Sequence, residues 1–221
     1  MRKLKFLAGV VFLLLVNFCY SHEHWIDLEN FQPVVGEKIK VFACSGHSFP
    51  KSNEILGERV FDGLRVITPD NKEIVYETKP DKDLNARVSE VIFEKEGTYI
   101  VLFLLKKPPL KTPSYIAKSL VTVGVGKGLT YRLGSGLEIV PEKEISKLKI
   151  GEELLLNIFY DNKPVDLTAS ISINGKKNFF LKTDKGGRLV LKLKSSGKYL
   201  ITTSYKGTGT SLTFYIAEGT K

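Results

Sequence analysis

The chain has 221 residues, of which 43% are hydrophobic, with 33 Lys and Arg against 24 Asp and Glu and only two cysteines. The charges are scattered rather than clustered, which argues for a solvated surface and against a nucleic-acid-binding face. Two cysteines cannot make a disulfide framework, so stability must come from a hydrophobic core.

Arg2, Lys3 and Lys5 precede an apolar run from Phe6 to Val16, and Cys19, Tyr20 and Ser21 follow it. This is the layout of a secretory signal peptide occupying residues 1–21, with cleavage after Ser21. The run is shorter than the roughly 20 residues that a membrane span needs, which weighs against an uncleaved anchor. Phe18, bulky and aromatic, weighs against lipid attachment at Cys19. The expected product is periplasmic or otherwise exported and has no membrane span. It begins at His22, keeps a net charge of about +6, and retains Cys44 as a lone thiol with no intramolecular disulfide. Its length of about 200 residues suits one large or two small domains.

No segment shows a long helical pattern with caps. Short runs rich in Val, Ile, Leu, Phe, Tyr and Thr are instead broken by Gly, Pro, Asn and Asp, the signature of a β-sandwich or barrel. Lys38–Cys44 opens with polar and apolar residues alternating. Arg65–Thr68 ends at the turn Pro69-Asp70-Asn71, and Val88–Phe93 reads as another strand. Thr98–Leu105 is more continuously apolar and fits a central position in a sheet. Lys118–Val123 alternates for most of its length. Gly124, Gly126, Gly128, Gly134 and Gly136 then crowd together before Pro141. With no Gly-Lys-Ser/Thr ending and no helix behind it, this stretch reads as a linker rather than a phosphate cradle. It divides the exported chain into 22–125 and 126–221. The halves resemble each other: Gly97-Thr98-Tyr99 and Gly197-Lys198-Tyr199 both precede apolar strands and resemble tyrosine corners. Asn174-Gly175 reads as a hairpin turn, and Thr183–Gly187 as a second turn. The expectation is all-β, two tandem immunoglobulin-like β-sandwich domains.

The three histidines, His22, His24 and His47, all fall near the new N-terminus. Histidine is the commonest metal ligand. With cleavage after Ser21, His24 is the third residue. A free amine, two backbone amides and that imidazole can close a square-planar four-nitrogen set, which suits Ni(II) and Cu(II). A second arrangement uses the amine and imidazole of His22 with His47, a histidine brace suited to copper. Both need the free amine of His22. His47 lies in Cys44-Ser45-Gly46-His47-Ser48-Phe49-Pro50, where Gly46 lets the backbone bend. Cys44 has C-x-x-H spacing to His47, a weak signal for a softer metal, and is otherwise a small buried hydrophobe. Glu23 can reach a metal or orient its ligands. Trp25 reads as a packing anchor. No nucleophile constellation is visible, since no histidine follows residue 47.

His22-Glu23-His24-Trp25-Ile26, Val35-Gly36-Glu37, Gly46–Pro50, Leu137–Pro141, Asp161–Val165 and Thr183–Gly187 together resemble one family. It is the exported, periplasmic component that accompanies energy-coupling-factor-type nickel/cobalt transporters. The resemblance spans nearly the whole exported chain. It implies β-sandwich domains, a Ni(II)- or Co(II)-binding role with His22, His24 and His47 as ligands, and membrane transporter components as partners. Two other readings stand beside it: a copper-dependent histidine-brace oxidase, and a metal-free structural or adhesion sandwich.

Overall fold

A computed structural model describes residues 22–106, 113–126, 132–176 and 178–218. The expected signal peptide and Gly128 lie outside the described residues. The short β-branched and aromatic runs form strands, in keeping with their fit to a pleated, half-buried surface. In the first half these are β1 (Glu23–Leu28), β2 (Lys38–Gly46), β3 (Phe61–Ile67), β4 (Glu73–Tyr76), β5 (Lys79–Asp81), β6 (Ala86–Ile92), β7 (Gly97–Lys106) and β8 (Pro113–Val123). In the second they are β9 (Leu137–Pro141), β10 (Glu153–Tyr160), β11 (Lys163–Pro164), β12 (Thr168–Ile173), β13 (Phe179–Lys182), β14 (Arg188–Lys192), β15 (Gly197–Tyr205) and β16 (Thr208–Ile216). A single 3-10 turn, Ile145–Lys147, is the helical element among the described residues. The all-β sandwich expected from the sequence is the fold.

The strands make three sheets. One is eight-stranded, in the order β13-β12-β15-β16-β8-β7-β3-β4; a second runs β1-β2-β6-β5; the third holds β11-β10-β14, with β9 also paired to β10. The large sheet crosses the expected division near residue 125. It does so through a parallel pairing of β16 with β8, from Gly209 opposite Tyr115 to Thr213 opposite Ser119. The two small sheets lie on opposite faces of it. Side chains of a strand alternate between faces, and β7 shows the result. Val101 and Phe103 join Ile26, Val41 and Val91 in one core, while Ile100 and Leu102 join Ile139, Leu156 and Phe214 in the other. The continuous apolar run of β7 is thus explained by burial on both sides.

Local features expected from the sequence take their expected forms. Tyr99 donates its hydroxyl to the Lys95 carbonyl at 2.9 Å, and Tyr199 does the same to Ser195 at 2.7 Å. Both are tyrosine corners. Asn174 and Gly175 have φ of 51° and 73°, the paired positive values of a type I′ hairpin, here joining β12 to β13.

β8 carries a residue that strand alternation alone would leave ambiguous. Lys118 is fully buried, with its ammonium 3.6 Å from Glu138 of β9. Glu138 is equally buried, and it also accepts the backbone N–H groups of Leu133 and Gly134 at 2.7 and 3.0 Å. Arg132 adds a third charge at 3.8 Å. This cluster ties the large sheet to β9. Breaking a buried pair from one side leaves a charge uncompensated, which costs about 3–5 kcal/mol. Glu138→Ala should therefore lower the free energy of urea unfolding by about that amount; a loss within experimental error would show that the cluster does not hold the seam.

Burial pushes the Lys118 ammonium down to about 8, against the attraction of Glu138. Between about pH 8 and its ordinary value of 10.5, the unfolded chain binds a proton that the native state has released. Stability from this residue therefore rises with pH across that window. Across that window the stability of the parent should rise with pH relative to that of Lys118→Met, which lacks this alkaline gain; parallel pH profiles of the two would overturn the assignment.

Candidate metal centre

β1 sets the site. It pairs along β2 from Glu23 opposite Gly46 to Leu28 opposite Val41, and it lies over the seam where β8 meets β16. The second half of the chain fastens it there. Ser211 of β16 donates to the His24 carbonyl at 2.6 Å. Thr202 and Asn178 donate to the Glu23 carboxylate at 3.3 and 3.4 Å. Lys198 bonds both oxygens of Asp27, at 2.6 and 2.8 Å. Trp25, the expected anchor, is fully buried among Cys44, Phe49, Ala86 and Leu200.

The loop after β2 brings His47 to the same place. Gly46 has φ of 144°, and a Cβ there would collide with Asn53, so glycine is required twice over. Asn53 in turn accepts the His47 backbone N–H at 2.9 Å. The loop rests on the β12–β13 turn, where a Cβ on Gly175 would meet the Phe49 carbonyl at 2.6 Å.

His22 and His47 stand edge to face, with ring centroids 4.5 Å apart. The His22 Nδ1 lies 2.5 Å from the Glu54 carboxylate, which also accepts the Ser45 hydroxyl at 2.5 Å. Burial works against the Glu54 charge, but the hydrogen bonds from Ser45 and His22 and the nearby histidines outweigh it and hold the carboxyl below its usual range. His24 sits edge-on to buried Tyr115, with centroids 4.7 Å apart. Burial brings its imidazole down to about 4, opposed by Glu54 and reinforced by His22. The ring is therefore neutral near pH 7, the form that binds a metal. Its Nδ1 is buried with no hydrogen-bond partner among the described residues, an unsatisfied donor of electrons of the kind that calls for explanation. Burial raises the Glu23 carboxyl, against hydrogen bonds from Thr202 and Asn178 and the pull of His47.

The three histidines and Glu23 thus share one end of the large sheet. Among the described residues, no three His, Cys, Asp or Glu side chains converge on a single point. Cys44 turns into the Trp25 cluster, and burial pushes its thiol well up, which keeps it protonated. Strand alternation places Cys44 and Ser45 on opposite faces of β2, and it is Ser45 that reaches Glu54. The square-planar arrangement would use the amide nitrogens of Glu23 and His24. In the fold, Glu23 is paired with Gly46, and the His24 N–H points at the Tyr115 hydroxyl 3.5 Å away. Two imidazoles in contact, a third with an unpartnered buried nitrogen, and the Glu23 carboxylate are the donor types at this end of the sheet, and they do not meet at one point. Glu54 and Tyr115 were not found from the sequence. Glu54 is one acid among 24, and nothing local marks it.

An all-β sandwich with His22, His24 and His47 near one another is the class these features define. The chain belongs to the family described as "Domain of unknown function (DUF4198)", whose sequence model matches residues 19–207. No curated protein matches it. Similar solved structures include the Ig1–Ig3 ectodomain of mouse nectin-like molecule 4, at 12% identity and TM-score 0.28, covering 88% of this chain and 63% of that one. The two-fibronectin type-III segment of chicken tenascin is 12% identical, with TM-score 0.31 and coverage of 88% and 99%. The D0–D1 domain of intimin is 15% identical, with TM-score 0.29 and coverage of 86% and 96%. The chain thus spans less than two thirds of the nectin-like ectodomain.

The Ser211 bond to the His24 carbonyl gives a direct test of how β1 is held. Ser211→Ala leaves that carbonyl without its partner and should cost about 1–3 kcal/mol. Amide exchange should quicken at Glu23–Trp25 while the β10 amides stay protected; uniform quickening would mean the bond serves the whole fold rather than β1.

Proposed function

We propose that this protein is exported, binds a divalent transition metal at its N-terminal histidines, and passes it to a membrane transporter. Nickel is the first choice, with cobalt and copper as alternatives. The ligands are His22, His24 and His47, with Glu54 orienting His22 and Glu23 beside them. The observation that carries the reading is the half-buried, neutral His24 imidazole, whose Nδ1 is buried and unpartnered among the described residues, next to the His22–His47 contact. A buried ring nitrogen without a partner is costly unless something fills it. The resemblance in motif order to periplasmic nickel/cobalt components supports the same choice of cargo and partner.

The test uses chain beginning at His22, stripped of metal, titrated calorimetrically with Ni(II), Co(II) and Cu(II). One ion should bind per chain at micromolar concentration or below, and His24→Ala and His47→Ala should each weaken it at least about tenfold, roughly 1.4 kcal/mol. No binding of any of the three ions would sink the reading. A chain that starts at Ser21 separates the donors: unchanged affinity means imidazoles and carboxylate suffice, whereas loss assigns a ligand to the His22 amine.

The His22–His47 contact also favours a second reading, the copper brace, because these are its two imidazoles. Strong copper preference with oxygen-dependent turnover would select it. The lack of three converged ligands among the described residues favours the third, a metal-free sandwich module, which would keep its fold and partner binding after all three histidines are replaced.

A further inference from the structure

The large sheet ends in two bare edges. β4 closes one end and β13 the other, and among the described residues no strand pairs with either from outside. The small sheets guard their edges with proline and charge, as edge strands usually do. β5 reads Lys79-Pro80-Asp81, β11 reads Lys163-Pro164, and β14 sets Arg188 and Lys192 on either side of exposed Val190. The large sheet does the opposite. Ile74 and Val75 of β4 are 43% and 64% exposed, and Phe179 and Phe180 of β13 are 39% and 69% exposed. Neither of these four-residue strands holds a proline.

Register decides what can cover them. Directly paired residues share a face. Val75 pairs with Arg65, between Leu64 and Val66, which point into the core under β1. Val75 therefore shows its side chain on the face away from β1. Phe180 pairs with Ser170, between Ala169 and Ile171 of the other core, so Phe180 lies on the β1 face. Six antiparallel steps and one parallel step separate β4 from β13, so the two edges run in the same direction. A second copy that sets its β4 antiparallel to β13 must then be turned over, which exchanges its faces. Turned over, its Val75 falls on the same side as Phe180. All four residues of each strand find a partner: Glu73 with Lys182, Ile74 with Leu181, Val75 with Phe180 and Tyr76 with Phe179. Glu73 and Lys182 are opposite in charge. Within its own chain each is met only loosely, Glu73 by Arg65 at 3.6 Å and Lys182 by Asp166 at 3.7 Å.

The other pairings fit less well. A β13–β13 pair about a two-fold axis aligns its faces only in registers that leave at least one of the four residues unpaired. A β4–β4 pair has the same loss and, centred on Val75, sets Glu73 opposite Glu77. Parallel addition of β4 to β13 aligns the faces but places Glu73 beside Phe179 and Lys182 beside Tyr76. No charges meet there, and parallel pairing is slightly the weaker kind.

We infer that the partner of each edge is a second copy of this chain: β13 of one copy takes β4 of the next, antiparallel, and the eight-stranded sheet continues across the contact. The contact joins two different edges, so a pair retains one free β4 and one free β13 and can add further copies. Four residues a side bury little surface, which makes the association weak and concentration-dependent. The histidines take no part in it, so it stands whatever they bind.

The test is sedimentation velocity on the chain beginning at His22. The mean sedimentation coefficient of the parent should rise from low micromolar to near millimolar concentration and fall back as salt is raised. Val75→Lys blocks one edge and Phe180→Lys the other; both positions are exposed, and thermal melts matching the parent's check that the fold is kept. Each variant alone should stay monomeric. Their mixture should form one-to-one pairs and nothing larger, because each brings the edge that the other has lost. Glu73→Lys should weaken the association of the parent about fivefold, and adding Lys182→Glu to the same chain should restore it. A parent that stays monomeric at every concentration overturns the proposal. So does a mixture that stays monomeric, or either variant pairing with itself, which would mean that the edges seek their own kind.

Discussion

The parallel pairing of β16 with β8 is the constraint from which the rest follows. It joins strands far apart in the chain into one sheet and so gives β7 and β8 two buried faces. It also puts β1, the edge of the smaller N-terminal sheet, directly over β16. Hydrogen bonds from Ser211, Thr202 and Asn178 can then fix residues within a few positions of the expected N-terminus. Chain ends are ordinarily loose unless tied down. Here the second half of the molecule does the tying, and the histidines are positioned by it.

Polar burial marks the same seam from the other side. Lys118 and Glu138 face the opposite surface of the large sheet from β1 and bring charge into an otherwise apolar interior. A buried pair of this kind is weak evidence for net stability, but it penalises any arrangement that separates the partners. Lys118 neighbours Leu212 in the β8–β16 register, so correct pairing and correct ion contact come together. Slippage by one residue would turn Lys118 toward the wrong core.

Much of this architecture was legible locally. The Gly-x-Tyr signals gave real tyrosine corners, because a hydroxyl bond four residues upstream is a short-range device. Asn174-Gly175 formed its turn for the same reason. The apolar run at Thr98–Leu105 announced a strand buried on both faces. What covers those faces was not legible, because partner choice in a sheet depends on distant segments that leave no local trace. The site divides in the same way. Histidines are scarce, so their clustering was informative; Glu54 and Thr202 are common residue types whose role comes only from proximity. Cys44 illustrates the converse, since its spacing to His47 looked chemical while strand alternation sent the thiol into the Trp25 cluster.

The shared sheet also bears on what counts as a unit in this chain. Its sequence reads as two halves with a glycine-rich joint, the usual form of two independent modules. Yet a cut at that joint would bare the edges of β8 and β16, long rows of unpaired backbone groups that are liable to associate. The halves are therefore better regarded as complementary pieces of one object, able in principle to find each other without a covalent link, than as beads on a string.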